Sequence, residues 1–386
     1  MRQLKIIQVI SSPWWTGPAE PVLFLTDALG KRGHNMHFVC VGGDALEAQA
    51  EAAGYPRIED VDPTRSLSPA RIWGSVGALA RLIDKVGADI VHCHLSADHW
   101  LSYFAIQRAK GRPRLVRTVH NPRAAKANIF NKYLFNRSTD GVIGVNSHIA
   151  GILKNQLQVP AGRLHMVRGG VDIERFRPAS IESRVNGRDF LKLPTKATLI
   201  GIVSRLASDR GYITLIEAFR LLAVEVPGVH LVIVGKGEYL PAIQERVGSL
   251  GLNERVHFPG YIEEELPEVL AGLDIFTLLA PGSEGTCRAL LEAMAMGIPC
   301  VVTSHNGLDE VVRDVVTSYV VPPNNPGALS AAFKSLVTDK GKRIQFGRAG
   351  RQRVERYFYN GYRGEMVENV YAQVLGISQS PKEMRR

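Results

Sequence analysis

The feature that most constrains the fold is an alternation of short apolar runs with amphipathic segments, which occurs twice along the chain. In the first half, apolar runs such as Leu4–Ile10 and Ile90–Cys93 alternate with segments of helical periodicity such as Ile72–Val86. The second half repeats the pattern, with Thr198–Val203 and Ile275–Leu278 among its apolar runs. Buried strands that alternate with helices form parallel sheets covered on both faces. We therefore predict an α/β protein with two doubly wound, Rossmann-like domains that face each other across a cleft.

A break in this alternation indicates where the two domains meet. Pro178 and several polar residues interrupt the pattern between Phe176 and Leu193. We predict a first domain over residues 1–178, a second over residues 179–360, and a C-terminal helix and tail over residues 361–386 that could cross back to the first domain. Ligands of such sheets bind beyond the carboxyl ends of the strands. The loops after the strands, and the cleft between the domains, are therefore the expected sites.

The excess positive charge belongs almost entirely to the first half. The chain carries a formal net charge of +10. Residues 1–180 hold 23 Lys/Arg against 14 Asp/Glu, whereas residues 181–386 hold 24 against 23. A protein that bound nucleic acid along its whole length would not be neutral over half of it. Nine basic residues and no acidic residue lie between Arg108 and Arg137, which we call the basic segment.

The composition of the basic segment favours an anionic partner. Its aromatic residues Phe130, Tyr133 and Phe135 are interleaved with the basic ones, as on surfaces that rest on anionic lipid. RNA phosphates could bind such a segment as well, but no nucleic-acid-binding motif accompanies it. We therefore expect an anionic membrane surface or a phosphorylated acceptor as the partner, and no nucleic acid.

Cysteines and histidines do not indicate a disulfide framework or a metal site. The four cysteines are scattered without paired spacing, at Cys40, Cys93, Cys287 and Cys300. This usage favours a reducing cytoplasm. In His92-Cys93-His94, a strand would place the two histidines on one face and the cysteine on the other. We therefore predict no metal.

Two acidic residues follow the predicted strand Ile275–Leu278. Glu284 lies at a loop-to-helix junction, and Glu292 follows eight residues later, about 80° round a helix and two turns along it. Both carboxylates could border one pocket and accept hydrogen bonds from vicinal sugar hydroxyls, while Gly285 permits close approach of the backbone. The alternative is that Glu284 caps a helix and Glu292 lies on the surface, although the apolar neighbours of Glu292 disfavour an exposed position.

Two arginines follow the first predicted strand of the second half. Arg205 and Arg210 lie five residues apart in a loop that precedes a helix. Guanidinium groups so placed can clamp a diphosphate; two unrelated surface arginines are the alternative. After the next strand, Gly235-Lys236-Gly237 lacks the third glycine of a dinucleotide fingerprint. A nicotinamide cofactor is therefore only weakly indicated.

These motifs, in this order, resemble those of the retaining glycosyltransferases of family 4, which have the two-domain GT-B fold. The resemblance covers most of residues 198–323. It rests on Ser-Arg-Leu and Arg-Gly (204–211), Ile-Val-Gly-Lys-Gly (233–237), Phe-Pro-Gly-Tyr (258–261), Ser-Glu-Gly with Leu-Leu-Glu-Ala-Met-Ala (283–295) and Gly-Leu-Asp-Glu-Val-Val (307–312). It implies that the second domain binds a nucleotide-diphosphate sugar as donor, that no further cofactor is required, and that the first domain binds the acceptor.

The resemblance also implies a role for each residue of the donor site. Arg205 and Arg210 would neutralise the diphosphate, with Arg210 standing where the family usually has lysine. Glu284 would bind hydroxyls of the transferred sugar, and Glu292 those of the ribose. The other expected donor-site residues are Gly235, Gly285, Thr286 and Glu310. Cys287 stands where the family commonly has glycine.

In the first half, the resemblance places His120 near the reacting sugar. This histidine lies at the end of a predicted strand, in Thr118-Val-His-Asn121; a buried structural histidine is the alternative. The glycine-rich loop that the family carries after its first strand is reduced here to Gly17, which we count among the expected donor-site residues. The neighbouring Trp14 and Trp15 could stack on an acceptor, lie in a lipid interface or pack under the loop.

The resulting prediction is a retaining hexosyltransferase that uses a UDP or GDP sugar. We expect a lipid-linked or cell-envelope glycan as acceptor, in the synthesis of lipopolysaccharide, polysaccharide or glycolipid. The protein would be cytoplasmic and peripheral on the inner face of the cytoplasmic membrane. A soluble GT-B transferase with a small-molecule acceptor, a GT-B-fold sugar-nucleotide epimerase and a non-enzymatic nucleic-acid-binding protein are the alternatives.

Overall fold

The chain folds into two units, each built on its own sheet. The computed structural model describes residues 2–12, 17, 19–63, 68–124, 126–280, 287–304 and 307–377. The first unit comprises the residues up to Gly169 together with those from Asn360 onwards. The second unit comprises the described residues from Gly170 to Tyr359.

The first unit contains a six-stranded parallel sheet in the order β2-β1-β3-β4-β5-β6. Its strands are β1 (Lys5–Val9), β2 (Asn35–Val39), β3 (Ile90–Cys93), β4 (Arg114–Val119), β5 (Gly141–Gly144) and β6 (Leu164–Met166). Its helices are α1 (Ala19–Lys31), α2 (Ala45–Ala52), α3 (Pro69–Val86), α4 (Ser96–Arg108), α5 (Ile129–Arg137), α6 (Ser147–Asn155) and, after the second unit, α15 (Asn360–Leu375). The central strands β3 and β5 are buried along their whole length, as expected for a parallel sheet with helices on both faces.

The C-terminal helix α15 is an integral part of the first unit. Tyr371 and Val367 of this helix pack in one core with Leu25 and Leu29 of α1. Glu368 accepts a hydrogen bond from Arg32 Nε at 2.6 Å. The helix therefore contributes both apolar burial and an ion pair to α1 and the adjacent Arg32, more than three hundred positions earlier in the chain.

The second unit contains a second six-stranded parallel sheet, in the order β12-β11-β10-β7-β8-β9. Its strands are β7 (Thr198–Val203), β8 (Val229–Val234), β9 (Val256–Gly260), β10 (Ile275–Leu278), β11 (Cys300–Thr303) and β12 (Ser318–Val321). Its helices are α7 (Ile181–Phe190), α8 (Tyr212–Glu225), α9 (Leu240–Ser249), α10 (Leu266–Gly272), α11 (Arg288–Ala295), α12 (Leu308–Val311), α13 (Pro326–Thr338) and α14 (Lys340–Tyr357). Two apolar cores, one on each face of the sheet, contain its buried residues.

The interruption between Phe176 and Leu193 is not a linker, and the division between the units lies at residues 169/170 instead of 178/179. The N–H of Val171 donates to the carbonyl of Phe358 at 2.8 Å, and Phe176 is buried in a core of the second unit. Helix α7 then packs against α10 so closely that a Cβ at Gly187 would lie 2.1 Å from the carbonyl oxygen of Glu268. Pro178 interrupts the local periodicity, but tertiary contacts assign this segment to the second unit.

Candidate active site

Four neighbouring strands of the second unit direct their carboxyl ends to one edge of the sheet. These strands are β11, β10, β7 and β8, which are all parallel. The loop after β7 carries Arg205 and Arg210, the loop after β8 begins with Gly235, and Glu310 follows β11. The topology therefore brings the loops that hold the expected donor-site residues to one edge. Glu284, Gly285 and Thr286, which follow β10 in the sequence, lie outside the described residues, so their predicted roles stay predictions.

The two arginines after β7 differ in their environment. Arg205 is exposed, and its Nη2 lies 3.1 and 3.0 Å from the two carboxylate oxygens of Glu238. Arg210 is only 8% exposed, and its Nε lies 3.2 Å from Oδ1 of Asp209. An exposed ion pair contributes about 0–1 kcal/mol, so a diphosphate could replace Glu238 at little cost. Sequence reasoning missed Glu238, although it stands directly after the glycine–lysine–glycine motif.

Gly235 lets the loop after β8 approach the loop after β7. It has a φ of +146°, and a Cβ at this position would lie 2.0 Å from the backbone carbonyl oxygen of Ser204. The N–H of Leu206 donates to the carbonyl of Lys236 at 3.0 Å, which ties the two loops together. This glycine therefore positions the backbone around Arg205; its predicted contact with the donor stays a prediction.

Glu292 is a buried carboxylate with a cationic partner. It lies on α11 with 2% exposure, and its Oε1 is 2.7 Å from Nε of Arg288, one turn earlier. A carboxylate at such a depth requires a partner or a ligand. Glu310 is half-buried on the short helix α12, and its backbone carbonyl accepts a hydrogen bond from Arg353 Nη2 at 3.0 Å. Cys287, immediately before α11, has a φ of +52°.

In the first unit, His120 belongs to a buried set of polar side chains that we call the histidine network. Its members are Gln8, His92, His94, Thr118, His120 and Tyr371. His120 directly follows β4, and its Nε2 lies 3.2 Å from Nδ1 of His94. Burial is the main cause that lowers the pKa of His92, His94 and His120 well below the ordinary value. All three imidazoles are therefore neutral at pH 7.

The neighbouring pattern His92-Cys93-His94 has the predicted orientation. The two imidazole rings lie on the same face, 4.3 Å apart, whereas the Cys93 thiol donates to the carbonyl of Val116 at 3.4 Å. Both nitrogens of His92 and both of His94 have hydrogen-bond partners. Within the described part of the chain, no group of three or more His, Cys, Asp or Glu side chains is arranged to hold a metal ion. Gly17 is described in a turn with φ +82°, whereas Trp14 and Trp15 lie outside the described residues.

The basic segment is not the uninterrupted surface that its sequence suggests. Arg117 is fully buried, because it lies within the central strand β4, and Phe135 is buried in the core that contains Val119 and Ile149. Arg114 is paired with Asp140 at 3.0 Å. The assignment of Arg117 and Phe135 to an anion-binding surface was therefore wrong: the strand and the helix turn these two side chains inward.

The basic segment also contains exposed apolar side chains. Ile129 and Phe130 on α5 are 77% and 70% exposed. Tyr133, also on α5, contacts Tyr103 of α4 with ring centroids 6.3 Å apart. Aromatic contacts continue from α4 to α3, where the rings of Phe104 and Trp73 lie 5.5 Å apart. This cluster was not predicted because its members come from three helices, although the aromatic spacing on α4 was a signal.

Comparisons with known proteins identify both units. The sequence model described as Glycosyltransferase Family 4 matches residues 17–175, and the one described as Glycosyl transferases group 1 matches residues 184–353. A crystal structure of a glycosyltransferase from Rickettsia africae ESF-5 is similar over 98% of this chain and 100% of that one, with a TM-score of 0.86 at 21% identity. The two parallel sheets with their flanking helices confirm the predicted GT-B fold, and the two matching sequence models define the chain as a glycosyltransferase. The chain belongs to glycosyltransferase family 4.

Two curated relatives show how far the similarity extends. The chain is 34% identical to mannosylfructose-phosphate synthase of Agrobacterium fabrum over 47% of its own length, and it spans only 42% of that relative. It is 28% identical to a GDP-mannose-dependent alpha-(1-6)-phosphatidylinositol monomannoside mannosyltransferase of Mycobacterium tuberculosis, over 85% of this chain and 87% of that one. No helix formed by the described residues is long and apolar enough to cross a membrane.

Proposed function

We propose that this enzyme transfers a hexosyl group, with retention of anomeric configuration, from a nucleotide-diphosphate sugar to a lipid-linked or cell-envelope glycan. The observation that carries the proposal is that the parallel strands β7, β8, β10 and β11 end at one edge of the second sheet. The segments that follow these strands in the sequence contain the two arginines suited to a diphosphate and the acidic residues suited to sugar hydroxyls.

In this proposal the donor is held chiefly by charge. Arg205 and Arg210 neutralise the diphosphate, which gains negative charge as the bond to the anomeric carbon breaks. Glu284 binds hydroxyls of the transferred sugar and Glu292 those of the ribose, while Gly285, Thr286 and Glu310 line the same site. The bond between the anomeric carbon and the acceptor oxygen forms on the face of the sugar from which the diphosphate departs. At the same time the acceptor proton passes to the departing phosphate oxygen.

We further propose, from the family resemblance, that His120 of the first unit acts on the reacting sugar. Its imidazole is neutral, and it follows the carboxyl end of β4, where ligands of parallel sheets bind. A neutral imidazole nitrogen can accept a hydrogen bond from a hydroxyl of the reacting sugar and hold that sugar in position. We assign this orienting role to His120.

The acceptor is proposed to reside in an anionic membrane. Support comes from the exposed side chains of Ile129, Phe130 and Tyr133 within the basic segment, a combination suited to anionic lipid. The mycobacterial relative, which matches over most of its length, is named for a phosphatidylinositol-linked acceptor. We therefore place the enzyme in the cytoplasm, peripheral on the inner face of the cytoplasmic membrane.

The test begins with the donor. Thermal-shift screening of UDP and GDP sugars identifies the donor, and mass spectrometry then identifies the product formed with a lipid extract. Glu284→Ala and Arg205→Gln should each lower turnover at least 100-fold, corresponding to about 2.7 kcal/mol or more. Arg220→Gln is the matched control, because Arg220 is a partly exposed arginine of the same unit that pairs with Glu217.

Three outcomes of these experiments would contradict the proposal. Retained transfer in Glu284→Ala would overturn the assigned site. Conversion of the donor to another nucleotide sugar in the absence of acceptor would identify an epimerase. A product formed only with a water-soluble sugar or sugar phosphate would identify the soluble transferase, to which the partial match with mannosylfructose-phosphate synthase would then correspond.

A further inference from the structure

Hydrogen-bond contacts connect the histidine network from Tyr371, on the C-terminal helix, to His120. The Tyr371 oxygen lies 2.7 Å from Nδ1 of His92 and 3.5 Å from Nε2 of Gln8. The other end of the Gln8 amide, Oε1, lies 2.7 Å from Nε2 of His94. Nδ1 of His94 in turn lies 3.2 Å from Nε2 of His120. Gln8 therefore stands between Tyr371 and the hydrogen-bonded pair of His94 and His120.

The donors and acceptors of this network determine where the protons are. An amide oxygen only accepts hydrogen bonds, so Nε2 of His94 must carry a proton and donate it to Oε1 of Gln8. In a neutral imidazole the other nitrogen is then an acceptor, so Nδ1 of His94 must accept from His120. Nε2 of His120 is therefore the protonated nitrogen, and Nδ1 of His120 carries a lone pair.

Of the four ring nitrogens of His94 and His120, Nδ1 of His120 is the one without a partner in the histidine network. Nδ1 of His120 is buried and has no hydrogen-bond partner among the described residues. A buried acceptor without a partner is unfavourable, so a donor that reaches it gains that interaction. Arg363 and Arg117 add positive charge around His120 and, after burial, lower its pKa, which keeps the lone pair available.

We propose that Gln8 and His94 are positioning residues that hold His120 in the Nε2-protonated tautomer, so that its Nδ1 accepts a hydrogen bond from a hydroxyl of the reacting sugar. The sugar part of this proposal rests on the proposed function; the tautomer itself does not. Neither Gln8 nor His94 reaches the substrate in this arrangement. They act on His120 through two hydrogen bonds, one between Gln8 and His94 and one between His94 and His120. The orientation of the Gln8 amide determines which group is the donor in each bond.

The tautomer can be measured directly in the unliganded protein. Long-range ¹H–¹⁵N spectra of the full chain, labelled at its histidines and assigned with a His120→Gln variant, distinguish protonated from unprotonated ring nitrogens. We expect an unprotonated Nδ1 and a protonated Nε2 for His120. A protonated Nδ1 would mean that the Gln8 amide points the other way, and it would overturn the proposal without any mutation of the network.

Two substitutions of Gln8 test its role. Gln8→Met removes the acceptor and should leave His120 as a mixture of tautomers, with kcat lowered roughly tenfold or more and KM for the donor little changed. Gln8→Glu keeps an oxygen that only accepts, and it should restore the single tautomer. If Gln8→Met retains that single tautomer, Gln8 does not set it and the proposal fails. An unprotonated Nδ1 in a protein without transferase activity would instead refute the proposed function alone.

Discussion

Cys287 adopts a backbone conformation that residues other than glycine disfavour. It precedes α11 with a φ of +52°, in the left-handed region that favours glycine. Its side chain is 3% exposed and packs in a core of the second unit. The residue therefore gains burial while it pays a conformational cost of about 1–2 kcal/mol. The family resemblance, which puts glycine at this position, points to the same geometry.

The opposing effects at Cys287 predict an unusual order of stability. Cys287→Gly and Cys287→Ala both lose the thiol, but only glycine relieves the left-handed backbone. We expect Cys287→Gly to have a free energy of unfolding about 1 kcal/mol higher than that of Cys287→Ala, measured by urea denaturation. The same pair of substitutions at Cys300, which is buried in strand β11, is the control. Alanine should be the more stable there; the same order at both positions would contradict the argument.

Single residues were predictable from sequence where local geometry decides their environment. Strand alternation gave the common face of His92 and His94, and the apolar neighbours of Glu292 gave its burial. The interior position of Arg117 was not predicted, because a segment with nine basic residues and no acidic residue suggests a solvated surface. That arginine is buried because β4 is a central strand of the sheet, and this position is a feature of the tertiary structure.

At the scale of elements, apolar runs were more informative than amphipathic segments. The predicted bounds of Ile90–Cys93, Thr198–Val203 and Ile275–Leu278 agree with the strands β3, β7 and β10, because strands buried on both faces are apolar throughout. Helices α2, α5, α6 and α7 were missed. Of these, α5 and α7 are polar along much of their length and expose large apolar side chains, such as Phe130 and Ile181, so their sequences lack a clear buried face.

Helix α4 buries a histidine whose protonation should limit stability in acid. His99 is 1% exposed, and its Nε2 lies 2.9 Å from the hydroxyl of Thr139. Burial, and then Arg117, lower its pKa well below 6.5. The folded protein therefore holds His99 neutral while the unfolded chain binds a proton below pH 6.5. The stability from this group is fully present above pH 6.5 and is lost as the pH falls through the folded pKa.

Replacement of His99 by glutamine should remove this loss. Glutamine keeps a neutral group near Thr139 but does not titrate. Between pH 6 and pH 5, the free energy of unfolding of His99→Gln should fall less steeply than that of the unaltered protein, by about 1 kcal/mol per pH unit. Urea denaturation at pH 7, 6 and 5 measures the slopes. His148→Gln, at an exposed position of the same unit, controls for the substitution itself, and equal slopes for His99→Gln and the unaltered protein would refute the assignment.

The neighbouring Asp98 acts in the opposite direction. Burial raises its pKa to about 6, against the effect of Arg117. The folded protein therefore holds the proton of Asp98 more tightly than the unfolded chain does. This contribution to stability is present below the ordinary pKa of an aspartate and is lost as the pH rises through about 6. Because Asp98 remains in His99→Gln, the comparison of slopes isolates the histidine.

At the scale of the whole molecule, the charge asymmetry between the two halves has two origins. Of the nine basic residues between Arg108 and Arg137, Arg117 lies inside the first sheet and Arg114 is paired with Asp140. Arg117 serves the fold, Arg114 is exposed although it is paired, and the remaining seven lie on the surface or are half-buried. The sequence predicted the excess charge, but only the structure shows which charges can meet a partner and which apolar side chains accompany them.

Membrane binding should depend on those remaining charges and on the apolar tip of α5. Each basic residue near an anionic surface contributes about 1 kcal/mol, so Lys126→Glu should weaken sedimentation with phosphatidylglycerol-containing vesicles by at least fivefold. The double variant Ile129→Ser/Phe130→Ser should weaken it further, because both side chains are largely exposed in the free protein.

Lys154→Glu, an exposed position on α6, and Ile181→Ser, 86% exposed on α7, are the matched controls and should bind like the unaltered protein. Because Arg117 is buried, its charge reversal would test folding and not binding. Equal losses in the variants and their controls would show that net charge and general apolar exposure, and not this surface, hold the enzyme to the vesicle.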